Sequence, residues 1–149
     1  MQLHLDGSNQ IKAHREKVFS MLTDSRFLAS TIPDAEEVRV IDGDTLEAKL
    51  KLKVAIVSST MRMKMTITGR EPPSKATLVA EGTGSGSNLR VTSVFTLEND
   101  MPTKLTWSAD AEISGVIAGL GSTLLKGFAT KKVAEIFDGI TRNMEAATN

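Results

Sequence analysis

Apolar and polar residues alternate along much of the chain before Ser114. LEAKLKLKVAI puts Leu46, Ala48, Leu50, Leu52, Val54 and Ile56 on one face, with Glu47, Lys49, Lys51 and Lys53 on the other. TMRMKMTIT sets Met61, Met63, Met65 and Ile67 against Arg62, Lys64 and Thr66. KLTWSADAEI sets Leu105, Trp107, Ala109, Ala111 and Ile113 against Lys104, Thr106, Ser108, Asp110 and Glu112. Successive strand side chains point to opposite faces, so a period of two predicts antiparallel strands with one buried and one wet face. Less regular runs predict four more strands, at 3–11, 37–42, 75–81 and 89–97. DGD at 42–44, EPPS at 71–74, GTGSGS at 82–87 and ENDMP at 98–102 supply the turns. Seven strands joined mostly by short turns make a meander.

Near Ser114 the period changes to that of a helix. A long helix is expected from about 116 to about 144, with Ser114 as its N-cap. Its apolar stripe runs through Ile117, Leu120, Leu124, Leu125, Phe128, Val133, Ile136, Phe137 and Ile140. Two short helices are expected between the first and second strands. REKVFSMLTD carries Val18, Phe19 and Leu22 at helical spacing, and DSRFLASTIP starts at Asp24 as N-cap and stops before Pro33. The expected fold is therefore α+β in one domain over 1–149. A curved seven-stranded antiparallel sheet would grip the long helix. Where helix and sheet floor do not meet, an apolar cavity would remain under the N-terminal half of the helix. Glycines at 115, 119, 121 and 127 lie in that half. Each costs about 1 kcal/mol relative to alanine inside a helix. Room for a ligand and close helix–strand packing explain them equally well.

The chemistry is sparse. The 149 residues carry 18 basic and 18 acidic side chains, a net charge of zero that argues against a nucleic-acid binder relying on bulk positive charge. There is no cysteine, hence no disulfide, thiolate zinc site or iron–sulfur cluster. No apolar run reaches membrane-spanning length and no signal peptide opens the chain, so a soluble intracellular protein is expected. His4 and His14 read as surface residues rather than metal ligands. EGTGSGSN lacks the lysine of a phosphate loop and reads as a hairpin. No catalytic residue, metal ligand or cofactor is assigned. What remains is an adaptable apolar lining that includes three methionines on one strand face. The expected lining is Ile32, Val54, Ile56, Met61, Met63, Trp107, Ile117, Leu120, Leu124 and Leu125. Pro33, Gly115, Gly119 and Gly121 are expected at the mouth or gate, with Ile32, Pro33 and the 56–60 turn covering it.

Three stretches, DGSNQIKAHREKVFSMLTDSRFLASTIPDAEEV, REPPSKATLVAEGTGSGSNLRVTSVFTLEN and TKLTWSADAEISGVIAGLGSTLLKGFATKKVAEIFDGI, resemble in order the CoxG family of carbon monoxide dehydrogenase. That family belongs to the START-like, helix-grip superfamily. The family's usual glycine after "IP" is Asp34 here, and the usual proline after Asp24 is Ser25. The resemblance implies a deep hydrophobic cavity beneath the long helix. It implies a non-enzymatic accessory protein that handles a quinone or lipid for a molybdenum-containing carbon monoxide dehydrogenase or related hydroxylase. A cytoplasmic location follows, peripheral to the inner face of the membrane. Transient membrane contact would run through the loop near Ile56 and Val57 and the helix start. Two alternatives stand beside it. One is a docking or assembly factor without ligand. The other is a cyclase or hydrolase-type enzyme, for which the inward positions offer little beyond Ser93 and Trp107.

Overall fold

The computed structural model describes residues 1–32, 35–54 and 56–147. Among these, seven strands form one antiparallel sheet: β1 (Gln2–Ile11), β2 (Ala35–Val40), β3 (Thr45–Val54), β4 (Val57–Glu71), β5 (Lys75–Gly84), β6 (Ser87–Glu98) and β7 (Thr103–Gly115). Their order in space is β1-β7-β6-β5-β4-β3-β2, a meander from β2 to β7 with β1 paired to the last strand. Helices α1 (Arg15–Leu22) and α2 (Ser25–Ala29) occupy the crossover from β1 to β2, and α3 (Ser122–Ala147) follows β7. The alternation and the change of period near Ser114 thus predict the observed α+β architecture.

Each short helix is started by a carboxylate. Asp24 caps α2, accepting a hydrogen bond from the Arg26 N–H at 2.9 Å. The α1 N-cap, His14, makes no side-chain cap bond of its own to the helix. Instead Asp100, from the turn between β6 and β7, accepts from the Arg15 N–H at 3.1 Å and bonds His14 Nδ1 at 3.1 Å. These bonds, the Arg15 amide first, hold the Asp100 carboxyl below its usual range. The buried Ser25 hydroxyl donates to the Asp42 carbonyl and ties α2 to the turn between β2 and β3.

Two junctions differ from the expectation, and the turn expected over 82–87 is shorter, because β5 runs on to Gly84 and β6 begins at Ser87. β7 continues to Gly115, so Ser114 is not a helix cap but a strand residue opposite Asn88. A 3₁₀ turn, Val116–Leu120, precedes α3. Gly115 (φ +87°) and Gly121 (φ +90°) bracket that turn in a conformation that L side chains rarely adopt, which interrupts the expected continuous helix. A Cβ at Gly115 would stand 2.1 Å from the Gly86 carbonyl oxygen. The Ile117 N–H donates to Ser87 Oγ at 3.0 Å and fastens the turn to β6. At the other junction, Val54 pairs with Val57, so β3 turns back before Ile56. Ile56 leaves the inward row and is 97% exposed, and residues 57–60 are strand rather than turn.

The concave face holds α3. Toward the C-terminal half of that helix the interior is filled: Trp107 stacks on Phe137 at 4.8 Å and 5°, and Phe95 tilts against Phe137 at 5.9 Å. Gly7 lies opposite Trp107 in register, and a Cβ there would come within 2.7 Å of the indole. The convex face is wet and carries a charge row in register across six strands: Arg39, Glu47, Lys64, Glu81, Arg90 and Glu112, from β2 to β7. Signs alternate at every step. Arg39 to Glu47 (3.1 Å) and Arg90 to Glu81 (3.7 Å) close as ion pairs.

Candidate functional site

The site is set by residue volume on β7. Its inward residues run Leu105, Trp107, Ala109, Ala111 and Ile113. Leu105 and Trp107 fill the space beneath α3, whereas Ala109 and Ala111 stop short of it. On the helix, Ala129 also stops short. The space between them is a cavity of about 220 Å³. Alternating positions of five strands wall it: Leu3 and Leu5 of β1, Ala109, Ala111 and Ile113 of β7, Leu89 and Val91 of β6, Met61 and Met63 of β4, Leu50 and Leu52 of β3. Helix α3 closes it with Leu125, Phe128, Ala129, Lys132, Val133 and Ile136, a single face at i, i+3, i+4, i+7 spacing. Ile32 and Ile117 complete the wall.

Lys51 and Lys132 are the ionisable members of the lining. Both also line a polar depression on the surface, with Ala35, Glu36 and Lys53. The cavity therefore meets solvent between β3 and α3, at a lysine-bordered mouth. Lys51 Nζ lies 3.2 Å from Glu36, and Lys132 Nζ lies 3.5 Å from Glu135.

Of the expected lining, Ile32, Met61, Met63, Ile117 and Leu125 stand in the cavity wall. The other five lie elsewhere. Trp107 belongs to the filled core; its Nε1–H is buried without a hydrogen-bond partner. Val54 is buried beside Ile113 and Ile117 but lines a separate surface groove with Leu120 and Leu124. Ile56 sits on a hairpin tip, and Leu124 is 42% exposed on the outer side of α3. Of the expected gate, Pro33 lies outside the described residues. Gly115 ends β7 and precedes the 3₁₀ turn, packed against the Gly86 backbone. At Gly119 and Gly121 a Cβ would meet nothing within 4 Å, so these glycines do not make the cavity. The three inward alanines do; Ala109 and Ala111 were visible in the alternation as the smallest members of the inward row of β7, whereas Ala129 stands outside the expected helical stripe.

His4 is on the wet face, 2.7 Å from Asp110 and 3.0 Å from Asp6, and the two carboxylates raise its pKa above 6.5. Among the described residues no group of three or more His, Asp or Glu side chains could hold a metal ion. No helix among them is long and apolar enough to cross a membrane.

A curved seven-stranded antiparallel sheet, closed by a C-terminal helix over an apolar cavity, defines a START-like helix-grip fold. Solved structures agree. A START superfamily protein from Mycobacterium smegmatis superposes with a TM-score of 0.72 at 11% identity, over 97% of this chain and 99% of that one. The Zhui aromatase/cyclase from Streptomyces sp. R1128 gives 0.71 at 13% identity, over 100% and 97%. A conserved protein from Geobacillus kaustophilus is nearer, with a TM-score of 0.86 and 27% identity over 99% and 98%. No curated protein matches the sequence. The family model of the carbon monoxide dehydrogenase protein CoxG matches residues 7–145, and the chain belongs to the CoxG family.

Proposed function

We propose that this protein is a non-enzymatic carrier that holds a lipophilic molecule, a quinone or a lipid, and serves a molybdenum-containing carbon monoxide dehydrogenase or related hydroxylase. One observation carries the first half: a cavity walled by apolar side chains apart from two lysines at its mouth. Binding there draws on burial of apolar surface, about 25 cal/mol per Å² before the entropy of association is subtracted. Lys51, Lys53 and Lys132 suit the polar end of such a ligand, facing solvent. Family membership supports the second half, the partner.

The same reading includes transient contact with a membrane, on its cytoplasmic side. Ile56, Val116 and Leu124 are exposed apolar side chains at the end of the molecule where α3 begins. Lys53 and Lys131 border the groove beside Leu124. Apolar groups flanked by lysines suit an anionic interface.

Mass spectrometry of an organic extract of the protein, purified from its native host, tests the carrier reading. A stoichiometric quinone or lipid is the expected result. A clean extract, together with no binding of added quinone, overturns it in favour of docking without a ligand. The likeness to an aromatase/cyclase raises a second reading, catalysis in the same cavity. Such chemistry needs an acid and a base at the ligand, and the lining offers Lys51 and Lys132. Turnover of a polyketide that is lost on replacing either lysine would favour it.

A further inference from the structure

Glycine inside a strand costs stability and leaves no side chain to pack. Gly82 of β5 is buried and has an ordinary strand conformation, so its backbone does not require glycine. What requires it is a neighbour. Met63 pairs with Gly82 in register, and a Cβ at position 82 would stand 2.2 Å from Met63 Sδ and 3.2 Å from its Cε. Met61 Cε lies 3.5 Å from the same point. The thioether of Met63 thus occupies the place of the missing side chain. Leu89, the β6 partner of Gly82, lines the cavity, as do Met61 and Met63, whereas β5 itself does not. The Met63 side chain is the layer between the ligand space and β5. It is unbranched and polarizable, and it can change rotamer at little cost.

We propose that Met63, parked over Gly82, sets the size of the apolar body that the cavity accepts. Parked, it leaves the space between β4, β6 and α3 open. Pushed off β5, it intrudes on that space. Withdrawn, it adds the Gly82 niche to the cavity. The inference rests on the carrier reading and adds to it which ligands fit.

Calorimetric titration of duroquinone, with one ring, and menadione, with two fused rings, tests it on the wild type, Gly82→Ala, Met63→Ala and the double variant. Thermal melting serves as the fold control. Gly82→Ala is expected to weaken menadione about tenfold or more and duroquinone much less, since a methyl-sized loss of room separates ligands on that scale. Met63→Ala in the same chain is expected to restore menadione, because the displaced atoms are then gone. An unchanged preference between the two quinones in Gly82→Ala overturns the proposal and leaves the carrier reading standing. So does a double variant that fails to recover menadione, since the loss would then come from the backbone. Should Gly82→Ala fail to fold, Met63→Ala alone decides: a preference shifted toward menadione supports the proposal and an unchanged one overturns it. A wild type that binds neither quinone overturns this proposal, and together with a clean organic extract it overturns the carrier reading as well.

Discussion

The two ends of the interior are built by the same elements, β1, β7, β6 and α3, and differ in what those elements point inward. At one end Trp107 and Phe137 stack and Phe95 packs against them, leaving no room. At the other, Ala109, Ala111 and Ala129 take equivalent positions one or two steps along the same strand and helix, and a cavity of about 220 Å³ remains. Both ends obey one binary pattern. Polarity decides which side of the sheet is buried, and side-chain volume decides whether the buried side is solid.

Substitutions can break that contrast from either side. The largest effect is expected at the filled end. Phe137→Ala removes the ring that meets both Trp107 and Phe95 and should cost about 3–5 kcal/mol, read by denaturant unfolding. Leu125→Ala, in the cavity wall, should fall at the low end of its class, about 2 kcal/mol, because the space beside it is already empty. A loss as large as that of Phe137→Ala would show that the wall is packed as tightly as the core. Ala111→Leu turns the hollow end into a filled one. Its stability should change by less than about 1.5 kcal/mol, while titrated quinone should no longer bind. Ile56→Ser touches neither end. It should leave stability within about 0.5 kcal/mol and reduce sedimentation with anionic vesicles.

The smallest effect lies on the wet side of β1, whose other side supplies Leu3 and Leu5 to the cavity. Hydrogen bonds to Asp110 and then Asp6 raise the His4 pKa above 6.5. A raised folded value means that the contribution is complete below the unfolded pKa and is lost as pH rises through the folded one. The melting temperature of the wild type should therefore exceed that of His4→Gln near pH 5 and match it by about pH 9. A gap that widens with pH would contradict the assignment.

The fold was legible because alternation and helical spacing are properties of polarity, and polarity is written in the sequence. The strands, the two short helices and the Asp24 cap follow from it. The cavity was only half legible. Inward parity picks out Met61 and Met63 but equally Trp107, which lies a step further toward the filled end. Ile56 has the right parity and the wrong place, since β3 ends at Val54, which already pairs with Val57. The helix glycines misled for a different reason. A missing side chain makes room only where its Cβ would point at something, and at Gly119 and Gly121 it points at open space. The informative absences were the alanines and, at Gly82, a glycine in a strand.

The charge row on the convex face bears on how the chain finds its own alignment. A strand displaced by one residue turns its apolar row outward and is rejected by burial. A strand displaced by two keeps every apolar residue inside, so burial scarcely opposes the error. The row Arg39, Glu47, Lys64, Glu81, Arg90 and Glu112 opposes it where the slipped partner is uncharged or of like sign, as between β2 and β3, where Arg39 would meet Thr45 or Lys49 instead of Glu47. A two-residue slip of β5 against β6 would set Arg90 opposite Val79 or Thr83 instead of Glu81. Each exposed pair is worth about 0.2–1 kcal/mol, little as stability. The pairs thus favour the native register at some strand boundaries, while Arg62 beside Lys64 and Asp110 beside Glu112 would keep opposite charges together at others.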